Sequence, residues 1–111
     1  MPLGPQIITF GNIQSTFVLS LTITPAATGA ATTLEQTFTV PGLQLQDQIS
    51  GITPQFAYSS LVSLDTYRVS APNVLAIAFS NGTAGSLTAP AGLYYVEVNR
   101  PYPGLVMTAI Q

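Results

Sequence analysis

The sequence predicts an all-β protein: a compact antiparallel β-sandwich, Greek-key or jelly-roll-like, with six to eight strands. Three observations carry that prediction. Several segments alternate apolar and polar residues with period two. Turn signals built on Pro, Gly and Asn recur every 8–12 residues or so, the spacing of small sandwiches and barrels. No stretch of the 111 residues holds a convincing helical period.

Residues 1–12 read as an extended N-terminal arm, and residues 13–111 as a single domain with no linker or internal repeat. In the arm, Pro2 and Pro5 bracket Gly4, and Ile7, Ile8 and Phe10 follow without helical period. Two readings stand: a short edge strand or frayed terminus, and a tail that docks on a neighbouring subunit. Residues 16–24 are the clearest strand, with Phe17, Leu19, Leu21 and Ile23 on one face and Val18, Ser20, Thr22 and Thr24 on the other. Pro25 and Gly29 make residues 25–31 a turn or loop despite their alanines. Residues 33–40 alternate again, and Gln36 falls on the inward face, where its amide needs a hydrogen-bond partner. Pro41-Gly42 ends that strand. A turn is expected over 42–47, a short strand over 48–53 and a polar-aromatic loop over 54–60.

Residues 61–70 resume strand character, and Ala71-Pro72-Asn73 is a turn cornered by its proline. Residues 74–80 follow with a large face, Leu75, Ile77 and Phe79, and a small one, Val74, Ala76 and Ala78. The small face admits close approach by another sheet or subunit. Asn81-Gly82 reads as a hairpin turn, and Gly42 and Gly82 permit positive φ. Gly85, Pro90 and Gly92 keep residues 83–92 from being one regular element. Residues 93–100 are the last clear strand, with Tyr94, Val96 and Val98 opposed to Tyr95, Glu97 and Asn99. Pro101 to Gly104 stops it, and residues 105–110 add a short strand or second tail.

Charge is scarce. Arg68 and Arg100 are the only cations, Glu35, Asp47, Asp65 and Glu97 the only anions, and the net charge is −2. Without Cys or His, the usual structural zinc sites and Ser-His-Asp or Cys-His catalytic units are excluded. Nucleic-acid binding is not expected, since phosphate contacts come mainly from Lys and Arg. A membrane role is not expected either: the best apolar run, residues 74–79, falls far short of the roughly 20 residues a spanning helix needs. The opening residues carry neither a basic residue nor a long apolar stretch and do not read as a secretory signal. With 47% hydrophobic residues, the chain is expected to fold into a soluble unit coated with Thr, Ser, Gln and Asn. Such a coat stabilises a free colloid poorly and suits a protein covered by other protein.

Chemistry finds few footholds. The four carboxylates lie in different expected elements, so an acid–base pair is possible in principle, but solvated or Arg-paired carboxylates are the expected outcome. No clustered oxygen ligands suggest calcium, and no cofactor is expected. Each Arg is expected to meet a carboxylate or strand-end carbonyls, with contact to a partner as the other reading. Asn81-Gly82-Thr83 fits a glycosylation acceptor, though the turn reading comes first. Tyr94 and Tyr95 point to opposite faces, so only one is core. Tyr95 and Tyr102, with Tyr58 beside them in a sugar-stacking reading, are the exposed aromatic candidates; such residues are also enriched at subunit interfaces.

A longer pattern carries a resemblance. It runs through Phe38-Thr39-Val40-Pro41-Gly42-Leu43, Asp47 and Tyr67-Arg68-Val69-Ser70-Ala71. It continues through Leu75-Ala76-Ile77-Ala78-Phe79-Ser80-Asn81, Thr83-Ala84, Pro90 and Tyr94-Tyr95-Val96-Glu97-Val98-Asn99-Arg100-Pro101. This resembles small virion proteins of tailed bacteriophages of the head decoration, or cement, type. The resemblance implies a commonly trimeric β-sandwich module on the capsid exterior, partnered by the major capsid protein, with a structural role and no enzymatic one. Leu3, Ile7, Ile8, Phe10, Tyr95, Arg100 and Tyr102 are the expected interface residues. A homo-oligomer is expected on physical grounds as well. An uncharged chain this small would otherwise expose an apolar patch, and burying several hundred Å² contributes several kcal/mol at about 25 cal/mol per Å². The other functional expectation is a carbohydrate-binding head-fibre or tail-associated module that touches the host surface.

Overall fold

The computed structural model describes residues 11–104 and 106. Most of the expected arm, including Leu3, Ile7, Ile8 and Phe10, lies outside the described residues, as does most of the element expected over 105–110. Among the described residues the chain forms eight strands and no helix. They are β1 (Ile13–Ile23), β2 (Ala27–Thr28), β3 (Thr32–Thr39), β4 (Gln48–Pro54), β5 (Val62–Ala71), β6 (Val74–Asn81), β7 (Leu87–Thr88) and β8 (Gly92–Pro101).

Two three-stranded antiparallel sheets are ordered β1-β8-β4 and β3-β6-β5, and a separate two-residue ladder pairs β2 with β7. Period two dictates the packing. In the first sheet Phe17, Leu19 and Leu21 of β1 lie opposite Val98, Val96 and Tyr94 of β8. In the second, Leu75, Ile77 and Phe79 of β6 lie between Phe38, Gln36 and Leu34 of β3 and Val69, Tyr67 and Leu64 of β5. These inner faces meet in one cluster that takes residues from both sheets, closed by Val40, Leu43 and Ala89 from the connections. Each fully buried Leu, Ile, Val or Phe contributes about 1.5–3 kcal/mol. The row Leu75, Ile77 and Phe79 therefore outweighs an exposed ion pair, which contributes about 0–1 kcal/mol.

Side chains pin the connections. At the β5–β6 hairpin, Pro72 precedes Asn73, which adopts φ +67°, the residue pattern of a type II turn. Asn73 Oδ1 accepts from Gly42 N at 2.8 Å, Asn73 N donates to Leu43 O, and Asn73 O accepts from Val40 N. The turn is thus bonded to the β3–β4 connection, where Gly42 has φ +97°.

Several expectations are corrected. The loop over 25–31 contains β2, and the irregular stretch over 83–92 contains β7; each is two residues long, below what period two can reveal. Asn81-Gly82 is not a hairpin, because β6 pairs with β3 and β5 and not with the strand that follows. Asn81 is 1% exposed and shapes the turn with its side chain. Nδ2 donates to Thr28 O and Gly85 O, and Oδ1 accepts from Thr83 N and Thr83 Oγ1. That is an Asx turn; Gly82 has no positive φ, and the amide is buried away from any glycosylating enzyme. The small face of β6 is also not open: Ala76 is fully buried, although among the described residues no second sheet covers it.

Candidate interaction surface

The cover over Ala76 and Ala78 is an ion pair. Arg68 on β5 lies opposite Ala76, and Glu35 on β3 lies opposite Ala78. Arg68 Nε and Nη2 donate to Glu35 Oε2 and Oε1 at 2.9 and 2.8 Å, so the pair bridges β5 to β3 across β6. The Arg68 hydrogen bond, with its charge, holds the Glu35 carboxyl below its usual pKa. Beside it, Asp65 accepts from Ser63 Oγ and Ser80 Oγ, and Ser80 Oγ also meets Thr33 Oγ1. The outer face of the second sheet is polar and satisfied within itself.

Arg100 is spent internally too. Its Nε and Nη2 donate to Asp47 Oδ1 and Oδ2 at 2.9 and 2.7 Å, and Nη2 also donates to Gly42 O. The guanidinium lies 5.1 Å from the centre of the Phe17 ring, a cation–π distance. Burial works to raise the pKa of Asp47. The Arg100 hydrogen bonds, the backbone bond from Gln44 N and the Arg100 charge outweigh it, so the carboxyl sits below its usual range. The expectation that each Arg meets a carboxylate therefore holds, and Arg100 offers a partner little beyond a partly exposed edge.

The outer face of the first sheet differs. Its central strand presents Leu93, Tyr95, Glu97 and Asn99, flanked by Thr22, Ser20, Val18 and Thr16 of β1 and by Thr53, Gly51 and Gln48 of β4. Val18 is 57% exposed, Tyr95 42% and Leu93 39%. A bulge between Ile49 and Gly51 sets Gly51 opposite Glu97, and nothing lies within 4 Å of where a Cβ on Gly51 would sit. The result is a shallow depression of about 310 Å³ lined by Val18, Gly51, Thr53, Gln55, Tyr95 and Glu97. Glu97, the only charged side chain there, accepts a hydrogen bond from Ser50 Oγ.

The tyrosines sort as strand parity requires. Tyr94 is core, its hydroxyl donates to Pro90 O at 2.6 Å, and burial, with Tyr58 nearby, pushes its pKa up to about 12. Tyr58 is not the exposed platform expected. It is half-buried, stacks with Phe56, and its hydroxyl donates to Val62 O. Burial raises its pKa. It does line a wider depression of about 600 Å³ with Leu61, Leu87 and Pro90 at the β2-β7 end. Tyr102 is exposed at the opposite end, where its N donates to Asn12 O. Tyr95 and Tyr102 thus occupy separate places.

Among the described residues no three His, Cys, Asp or Glu side chains cluster as metal ligands would, and each of the four carboxylates is engaged separately. The exposed row Val18, Tyr95 and Leu93 was missed as a unit, although cross-strand alternation in residues 16–24 and 93–100 was its signal. No family model, curated protein or solved structure matches this chain.

Proposed function

We propose that this protein is a structural component of a phage virion that decorates the outside of an assembled head. It binds between capsomers as an oligomer and stabilises them without chemistry. One observation supports the structural role above the others: both cations are neutralised within the fold, while the outer face of the first sheet leaves Val18, Leu93 and Tyr95 uncovered. That face matches the composition of surfaces buried against protein, depleted in charge and centred on an aromatic residue. The phage-head setting and the major capsid protein as partner rest on the sequence resemblance. A ligand that binds only the assembled lattice stabilises it by mass action, and multivalent attachment strengthens weak single contacts.

A second reading has its own support. Tyr95 stands over a depression that also holds Thr53, Gln55 and Glu97, an aromatic face with hydrogen-bonding groups around it, as a sugar ring requires. One experiment addresses both. Purified protein is added to undecorated heads of the phage that encodes it and, separately, to a glycan array. Binding to heads with a raised disruption temperature, weakened by Tyr95→Ser, is the expected result. Glycan binding without head binding would replace the first reading with the second.

A further inference from the structure

Four strand edges bound the two three-stranded sheets: β1 and β4 in the first, β3 and β5 in the second. Three carry features that discourage another strand from adding. β3 carries Glu35; β5 has two bulges together with Asp65 and Arg68; β4 has a bulge and ends on Pro54. Charges, bulges and prolines are the usual protections of a sheet edge. β1 has a bulge only at its start, between Ile13 and Ser15, and from Ser15 to Ile23 it carries no such protection. Its 11 residues include no charge, Pro or Gly, and its register with β8 is regular from Ser15 to Ile23. At about 3.4 Å per residue the strand is about 37 Å long. On its outer side alternate backbone N–H and C=O groups point away from β8, and no other described strand pairs with them. Phe17, Leu19 and Leu21 face the core yet remain only half-buried, with no other described strand along their flank.

We propose that β1 is a homodimerisation edge, at which two copies of this chain pair their β1 strands antiparallel about a two-fold axis through Val18. The sequence of β1 supports a second copy as the occupant, because its polarity is close to palindromic about that residue. An axis through Val18 sets Val18 against itself and Phe17 against Leu19 of the second copy. It sets Thr16 against Ser20. Only Ser15 against Leu21 is mixed. Directly opposed residues share a face, so the apolar pairs stabilise the sheet and no like charges meet. The two-fold uses both β1 edges and leaves β4 outermost, so growth stops at a six-stranded sheet. The inference stands apart from the phage-head setting, and it gives a dimer where the resemblance implies a trimer.

Sedimentation velocity and native mass spectrometry of the full chain at micromolar concentration test it. The expected result is a dimer, retained in Val18→Thr and weakened about tenfold or more in Val18→Lys, which sets two ammonium groups together at the axis. Val18 is exposed, so an unchanged far-UV circular dichroism spectrum is expected for both variants. The chain has no cysteine, so Val18→Cys provides a second readout. Mild oxidation should link it into a covalent dimer, while the exposed control Leu45→Cys should stay uncrosslinked. A monomer or trimer in the unmodified chain, or a dimer indifferent to Val18→Lys and unlinked in Val18→Cys, overturns the proposal. A dimer that ignores phage heads would leave this pairing in place and remove the proposed function; a monomer that binds them would do the reverse.

Discussion

The side-chain amide of Gln36 pairs with the backbone of Ala26 in both directions: Nε2 donates to Ala26 O at 2.9 Å, and Oε1 accepts from Ala26 N at 2.7 Å. The amide takes the place that a neighbouring strand would hold and anchors the segment leading into β2. Replacing Gln36 with Leu removes both bonds and is expected to lower stability by about 1–2 kcal/mol, at roughly 1 kcal/mol per hydrogen bond. Gln36→Glu adds a pH signature. An ionised carboxylate accepts from Ala26 N but repels Ala26 O, whereas the protonated form donates to it. The folded-state pKa of that Glu is raised, so the variant gains stability relative to the unmodified chain as pH falls through it and loses that gain as pH rises. Urea midpoints at pH 7 and pH 4 check this; parallel shifts at both would contradict the two-way pairing.

The two ion pairs should behave differently. The Asp47 side chain is fully buried and that of Arg100 is 21% exposed, whereas Arg68 and Glu35 are 61% and 38% exposed. Removing one member of a buried pair strands the other, so Asp47→Asn is expected to cost about 3 kcal/mol. Glu35→Gln, in an exposed pair, should cost less than about 1 kcal/mol. The folded pKa of Asp47 is depressed, so its contribution is complete above the ordinary carboxylate pKa. It drains away as pH falls below about 4 and through the folded value. Denaturation midpoints between pH 7 and pH 2 should fall less steeply in Asp47→Asn than in the unmodified chain.

Strand parity explains what could be read from the sequence. Residues 16–24, 33–40, 48–53, 61–70, 74–80 and 93–100 were expected as strands, and all six appear within a few residues of their expected ends. The need of Gln36 for a partner followed from its inward position, but Ala26 as that partner did not. The bond joins a strand to a loop, and no local pattern encodes it. Asn81-Gly82 misled because the dipeptide signals a turn without saying which strand comes next. Ala76 and Ala78 misled because their cover comes from side chains on two other strands, and register is a tertiary property. The surface was read only in part. Tyr95 was identified by parity, but its union with Val18 and Leu93 depends on β1 lying beside β8, a pairing of the first and last described strands that no spacing announces.

Two left-handed residues should respond in opposite ways. Asn73 at φ +67° makes three hydrogen bonds to residues 40–43. Asn73→Ala keeps the two backbone bonds, loses the side-chain one and places a residue less tolerant of that conformation there, so a loss of about 1–2 kcal/mol is expected. Ala31 at φ 52° has a methyl group in a conformation that glycine adopts freely, and it is exposed. Ala31→Gly is expected to stabilise by about 0.5–1 kcal/mol, the relieved strain exceeding the added unfolded-state entropy. Thermal or urea unfolding of the two variants supplies the check, and equal signs would contradict the backbone geometry.

Gly92 opens β8 where the ring of Phe56 leaves it no room. A Cβ at this position would stand 2.8 Å from Phe56 Cε1 and 3.1 Å from Cδ1, closer than carbon atoms pack. Phe56 cannot simply swing aside. Its ring meets Tyr94 edge-on at 5.3 Å between centres and stacks on Tyr58, and both hydroxyls are bonded to backbone carbonyls. Gly92→Ala therefore forces the three rings to shift together, at an expected cost of about 1–3 kcal/mol. Phe56→Leu should relieve the clash while losing aromatic packing. The double variant is then expected to be more stable than the sum of the single effects allows, by more than about 0.5 kcal/mol. Additive losses in that double-mutant cycle would show that the ring and the missing methyl group are not in contact.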